Sequence, residues 1–440
     1  MAVETVETLV IGGGQAGLAM SAHMGRLGLP HLVLERHRIA ERWRTERWDS
    51  LVANGPAWHD RFPDLTFDDI DGDAFAPKDR IVQYFETYAA QNGSPIRCGV
   101  EVRRLERMAD GMFRAETAAG GVIVARNVVS ATGPFQKPVF PDMIPARAGV
   151  MQIHSSAYRN PGQLPEGAVM VVGAGSSGAQ IADELLRAKR KVILSVGPHD
   201  RPPRAYRGRD FVWWLGALGK WDARAITPGM EHVTIAVSGA EGGQTVDFRR
   251  MAARGMVLVG RTEGFAEGRL RFSPDLAANI ARGDANYLSV LDEADAYVAR
   301  EGLTLPEEPE ARVIGPDPAC LTDPIRTLDL AAEGVAAVIW ATGYVLDYGW
   351  MQIDVFDAQG RPRHERGVSA VPGLYFLGLP WLSRRASAFI WGVWTDAQHL
   401  AGQIAARREG DFGRAQSDAP SDAPSGAQLD AQFGASSRGL

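Results

Sequence analysis

The chain has 440 residues, 45% of them hydrophobic and 23% charged, with a net charge of −6 and a pI near 5.9. That length accommodates two or three domains with well-buried cores, and the mild acidity provides no basic field for nucleic acid or acidic lipid. Two cysteines far apart (Cys98 and Cys320), no C-x-x-C and nine scattered histidines exclude a disulfide framework, a dithiol redox centre and a zinc site, so no metal is expected. No uncharged apolar run is long enough to span a membrane, and Glu4 and Glu7 stand where a signal peptide would carry lysine or arginine. The expected location is cytoplasmic.

The apolar triplet Leu9-Val10-Ile11 runs into Gly12-x-Gly14-x-x-Gly17, with Gln15 and Ala16 inside the turn. A helix is predicted over Leu18–Leu27 and ends at Gly28-Leu29-Pro30; a second strand, His31–Glu35, ends in an acid followed by Arg36. Gly12 permits the tight turn, Gly14 lets backbone N–H groups reach a pyrophosphate, and Gly17 lets helix and strand pack closely. Glu35 follows Gly12 by 23 residues, where a carboxylate accepts ribose hydroxyls. Ile39 to Pro63 carries Trp43, Trp48 and Trp58 without regular periodicity. Such a loop either caps a core or folds over a flat ring system, and its exit from the ribose-binding strand favours the ring.

A helix is predicted over Asp79–Gln91 and strands over Arg97–Arg107, Phe113–Thr117 and Val122–Val129, the last leading into Ala131-Thr132-Gly133. The opening pattern then repeats. Val169–Val172 feeds Gly173-x-Gly175-Ser176-Ser177-Gly178, a helix over Ala179–Ala188 and a strand over Lys191–Ser195. Ser195 follows Gly173 by 22 residues and takes the acid's place, with Arg201, Arg204, Arg207 and Arg209 beyond it. A small polar residue with arginine nearby accepts a 2′-phosphate that an acid would repel. The economical pairing is FAD at the first turn and NADPH at the second, with Ser195, Arg201 and Arg204 serving the phosphate.

From Phe211 to Thr327 the pattern is weaker: an aromatic patch Phe211–Leu215, a short strand Met256–Val259 and a helix over Asn286–Arg300. Val335–Trp340 is a continuous apolar strand ending in a second Ala341-Thr342-Gly343, and Leu374–Leu377 is another that ends at Gly378. A final helix is predicted from Ser387 to Arg408, before a repetitive Ser/Asp/Ala/Pro tail. The fold class is α/β with two Rossmann-like dinucleotide-binding domains, the NADPH domain inserted in a discontinuous FAD domain. The boundaries are 1–160 and 330–410 for the FAD domain, 161–329 for the NADPH domain with substrate-lid elements, and 411–440 for a disordered tail.

From Glu7 to Arg408 the sequence resembles the single-component flavin-containing monooxygenases (group B), including the indole-pyruvate monooxygenase branch. The segments that carry the resemblance are G-G-G-Q-A-G, E-R-W-R, S-L-V-A-N-G-P, S-A-T-G-P, V-V-G-A-G-S-S-G-A-Q-I-A-D-E-L, I-W-A-T-G-Y and L-Y-F-L-G-L-P. The resemblance implies a glutathione/thioredoxin-reductase-like flavoprotein architecture. It also implies a C4a-(hydro)peroxyflavin that transfers one oxygen from O₂ to a small-molecule substrate. It places Asn54 beside the flavin as the catalytic residue, with Trp43, Thr132, Gly133 and Gly378 around the FAD. The family signature F-x-G-x-x-x-H-x-x-x-(Y/F/W) is half present: His154 and Tyr158 match, whereas Ala148 and Val150 replace the Phe and Gly. Tyr158-Arg159 in place of W-P favours N- or S-oxygenation over Baeyer–Villiger or oxidative-decarboxylating chemistry on a ketone or 2-oxo acid. A flavin reductase serving a redox partner is the alternative of another class. No nucleic-acid or membrane partner is expected, and a homodimer stays open.

Overall fold

The computed structural model describes residues 3–224 and 234–417. Two sheets, one mixed and one parallel, each with a glycine turn at the carboxyl end of a central parallel strand, organise them. In the first, Val3–Ile11 pairs in parallel with His31–Glu35 on one side and Val122–Ser130 on the other, and Ile96–Cys98 extends it beyond His31–Glu35. Leu9, Val10, Val33, Val128 and Val129 show no accessible surface, as strands covered on both faces require. Val102–Arg107 and Phe113–Thr117 form an antiparallel meander that joins Val122–Ser130. The single strand expected over Arg97–Arg107 is therefore two strands, broken at Gly99 (φ 74°), at different places in the sheet.

The second sheet is parallel throughout, in the order Val257–Val259, Val192–Ser195, Ala168–Val172, Val335–Trp340 and Met151–His154. Sequence reading placed Val335–Trp340 and Met151–His154 in the first unit, at 330–410 and 1–160. Strand pairing moves both to the second sheet, with Trp340 opposite Val172 and His154. A doubly covered apolar strand carries no mark of which sheet it will enter, and only the register resolves it. The first sheet resumes at Met351–Gln352 and at Leu374–Phe376, which lies parallel to Val122–Ser130.

The helix predicted over Asp79–Gln91 spans Lys78–Gln91, and that over Asn286–Arg300 starts earlier, spanning Leu276–Glu301. Phe211–Ala217 is helical, with Trp214 fully buried against Tyr206 and Leu291 as core. The last helix spans Val393–Ser417 rather than Ser387–Arg408. A 3₁₀ turn at Arg385–Ala388 precedes it, and Gly392 packs so closely on that turn that a β-carbon there would stand 1.9 Å from the Ala386 carbonyl oxygen. Residues 411–417 of the expected tail belong to this helix, and 418–440 lie outside the described residues. No helix among the described residues is long and apolar enough to cross a membrane.

Candidate active site

At the first turn, Gly12 adopts φ 117° and a β-carbon there would stand 2.5 Å from the Ala131 carbonyl oxygen. A β-carbon on Gly17 would approach the Gly12 carbonyl oxygen to 1.9 Å. The helix behind the turn, Gln15–Arg26, begins at Gly14 with no side-chain cap and no acid in its first turn, which leaves its N–H groups and positive dipole end for an anion. Nothing lies within 4 Å of where a Gly14 β-carbon would be, so a pyrophosphate has room. Glu35 accepts the Gly13 N–H at Oε2 (2.7 Å) and the His37 N–H at Oε1 (2.9 Å), and each oxygen keeps a lone pair for a ribose hydroxyl. Gly378 closes on the same helix head: its β-carbon would stand 2.7 Å from that of Ala16. Gln15 Nε2 donates to Ala388 O at 3.1 Å. Thr132 Oγ1 and Gly133 O both accept from Gln136 Nε2, Arg36 is exposed, and Trp43 packs between the two cores. The residues fit an FAD: Gly12, Gly14, Gln15, Ala16, Gly17, Glu35 and Gly378 converge on one helix head.

The second turn repeats the geometry. Gly173 has φ 115° and a β-carbon on it would stand 2.4 Å from the Ala341 carbonyl oxygen; one on Gly178 would stand 1.9 Å from Gly173 O. The two Ala-Thr-Gly segments are thus the backbone partners of the two first glycines. Helix Ser176–Arg187 likewise has neither side-chain cap nor acid in its first turn. Here, however, the segment Thr234–Val237 lies over the turn. Thr234 Cγ2 would stand 3.3 Å from a Gly175 β-carbon, and Ser176 Oγ donates to Ile235 O at 2.8 Å, while Ser177 remains exposed.

The phosphate clamp expected from Ser195, Arg201 and Arg204 is corrected. Ser195 is 2% exposed, and its hydroxyl donates to Gly260 O (2.9 Å) while accepting from the Thr262 backbone N–H (3.1 Å). Arg201, 4% exposed, pairs with Asp284 at 2.6 Å, and Arg249 pairs with the other oxygen of the same carboxylate. Arg204, 5% exposed, pairs with Asp210 and lies over the Phe75 ring. Buried arginines committed to carboxylates cannot be spared for a phosphate without stranding those charges. Arg201 also lines a polar cavity of about 300 Å³ with Thr245, Arg250 and Tyr287.

Asn54 is exposed on the loop between the turns, and its side chain reaches the second unit: Oδ1 accepts from Gln180 Nε2 at 2.9 Å. Among the described residues no hydrogen bond engages Asn54 Nδ2. His154 sits at the joint. Nε2 meets Gly343 O at 3.1 Å and Nδ1 accepts the Ser156 N–H at 3.1 Å, which fixes the neutral tautomer with its proton on Nε2. Burial holds the imidazole below its ordinary pKa. Tyr158 is fully buried and donates to Glu184 Oε2 at 2.7 Å, so this half of the signature ties the second unit together.

Two such turns, each closing a central parallel strand of its own sheet, define a flavoprotein oxidoreductase of the two-dinucleotide class. The family described as pyridine nucleotide-disulphide oxidoreductase matches residues 9–204. The chain is 35% identical over 403 residues to an uncharacterized CzcO-like oxidoreductase of Geobacillus kaustophilus, an alignment covering 91% of this chain and 98% of that one. It is 33% identical over 386 residues to an indole-3-pyruvate monooxygenase, YUCCA1, of Oryza sativa, covering 84% and 86% of the two chains. Among solved structures, a flavin-containing monooxygenase from Stenotrophomonas maltophilia superposes with a TM-score of 0.63 at 19% identity, covering 92% and 99%. The bacillithiol disulfide reductase Bdr of Bacillus cereus does so with a TM-score of 0.59 at 15% identity, covering 92% and 100%, and shares the fold. The chain belongs to the flavin monooxygenase family. It is a flavin-dependent oxidoreductase that uses FAD and NADPH.

Proposed function

We propose that the protein is an NADPH- and O₂-dependent monooxygenase that places one oxygen atom into a small organic substrate, with amine nitrogen or sulfide sulfur as the favoured acceptor. The balanced reaction consumes NADPH, a proton and O₂ and releases the oxygenated product, NADP⁺ and water. The chemistry supplied by bound FAD and NADPH is hydride transfer followed by oxygen activation. The residues of the chain bind, orient and exclude water. Gly12, Gly14, Gly17 and Glu35 hold the flavin nucleotide, and Gly173, Gly175 and Gly178 hold the nicotinamide nucleotide. Asn54 supplies Nδ2–H as a neutral donor, which can bond to oxygen without delivering a proton as a strong acid would.

The observation that carries this reading is the position of Asn54: its amide stands where the two nucleotide units meet, with one end fixed and a donor unengaged among the described residues. A second reading, oxygenation of a ketone or 2-oxo acid, draws on the similarity to a relative named indole-3-pyruvate monooxygenase. The test is NADPH oxidation under ¹⁸O₂ with panels of amines, sulfides, ketones and 2-oxo acids, with products identified by mass. One ¹⁸O in an N- or S-oxide per NADPH supports the favoured reading, and label in an ester or a decarboxylated acid supports the second. Stoichiometric hydrogen peroxide with every substrate would overturn both in favour of a reductase.

A further inference from the structure

Asn54 belongs to the first unit, yet the groups that hold it come from the second. Gln180 lies one turn into the helix whose head carries Ser176, and it is 8% exposed. Its Nε2 donates to Val237 O at 2.6 Å and to Asn54 Oδ1 at 2.9 Å. A carbonyl only accepts, so Val237 O identifies the Gln180 atom facing it as nitrogen, and that nitrogen in turn identifies the Asn54 atom as oxygen. Turning the Asn54 amide over would set donor against donor. The loop backbone is gripped as well. Arg204 Nη1 donates to Asn54 O at 2.6 Å, while its Nη2 pairs with Asp210 and its backbone N–H bonds Thr245 Oγ1 at 2.8 Å. Gly239 lies so close that a β-carbon on it would stand 2.2 Å from Ala53 O.

We infer that Gln180 and Arg204 are positioning residues: across the joint between the two units they fix the Asn54 backbone and the sense of its amide, so that Nδ2–H is the end presented to oxygen. This rests on the oxygen-handling role proposed for Asn54. It also gives the second glycine turn a reach beyond its own nucleotide, because Ser176 and Gln180 share one helix turn. A nucleotide seated at the helix head and the amide at the joint are therefore held by the same rigid element.

The test compares Asn54→Ala, Gln180→Leu, the isosteric Gln180→Glu and the double variant Asn54→Ala/Gln180→Leu. Readouts are FAD content, the NADP⁺ dissociation constant of the oxidised protein, and the hydrogen peroxide released per NADPH. Asn54→Ala is expected to raise peroxide release at least fivefold, and Gln180→Leu to approach that value with FAD content and NADP⁺ affinity within twofold of wild type. The double variant is expected to leak no more than Asn54→Ala alone. A crystal structure of the Gln180→Glu protein, in which an acceptor replaces the donor, is expected to show the Asn54 amide turned over. Tight coupling in Gln180→Leu while Asn54→Ala leaks would overturn the positioning role alone, as would additive leakage or an unturned amide. Wild-type coupling in Asn54→Ala would remove the role of Asn54 itself.

Discussion

The two glycine turns share a backbone and differ in what surrounds it. Both first glycines hold φ near 115° against an alanine carbonyl, at 2.5 Å and 2.4 Å for a β-carbon, and both third glycines face the first at 1.9 Å. A strand, a tight turn and a close helix admit one solution, and the chain uses it twice. The residues downstream of each turn sort the sites. Glu35 turns its carboxylate back to the Gly13 and His37 N–H groups, whereas Ser195 is sealed between Gly260 and Thr262. The first turn is open above Gly14, and the second lies under Thr234–Val237. The two sites thus differ in the residues beyond the glycines, not in the glycines themselves.

The sharpest way to break this comparison is Gly17→Ala. A methyl group there meets a backbone carbonyl that cannot yield, and the protein is expected to purify without FAD, read from its visible absorbance. Removing a buried cation should have the next largest effect. Arg201→Ala leaves Asp284 with Arg249 alone and is expected to cost about 3 kcal/mol in urea unfolding. The ratio of NADPH to NADH affinity should move less than twofold; a large selective loss for NADPH would restore Arg201 as a phosphate ligand.

Why the arginines misled is instructive. Ser195 and the cluster after it sit where a phosphate clamp belongs, but Arg201 meets Asp284 83 residues on and Arg204 meets Asn54 150 residues back. Local sequence holds no trace of Asp284 or Asn54, and Asp210, which pairs with Arg204, lies only six residues on and reads as one more charge in the cluster. The glycine turns, by contrast, are specified within some two dozen residues, which is why both turns were legible. The Ala-Thr-Gly repeats were legible as close approaches but not as the partners of Gly12 and Gly173. Val335–Trp340 read correctly as a buried strand and incorrectly as part of the first unit, since an all-apolar strand suits either sheet. Gln180 gave no signal: a glutamine on a helix is ordinary until the joint folds over it.

A smaller effect is expected of Glu35→Gln, which removes one charged acceptor for the ribose while keeping the shape; FAD affinity should fall by about 1.5–3 kcal/mol, measured by titrating apoprotein. NADP⁺ affinity should be unchanged, and an equal loss at both sites would deny the distinction between them. The smallest effect concerns pH. His154 is neutral in the fold and its pKa lies below the ordinary histidine value, so the unfolded chain takes up the proton first. Its contribution to stability is present above the unfolded value near 6.5 and is lost as pH falls through the folded value. Thermal melts of wild type are expected to drop across that window, and those of His154→Gln, which keeps a donor for Gly343 O and cannot titrate, to drop less.

The most direct measurement is anaerobic reduction of Gly178→Ala with NADPH, read alongside flavin content. Full flavin occupancy with reduction slowed more than a hundredfold is the expected result, because only the second turn is blocked. Loss of the flavin with the nicotinamide site intact, or reduction at the wild-type rate, would contradict the assignment of the two turns to two different nucleotides.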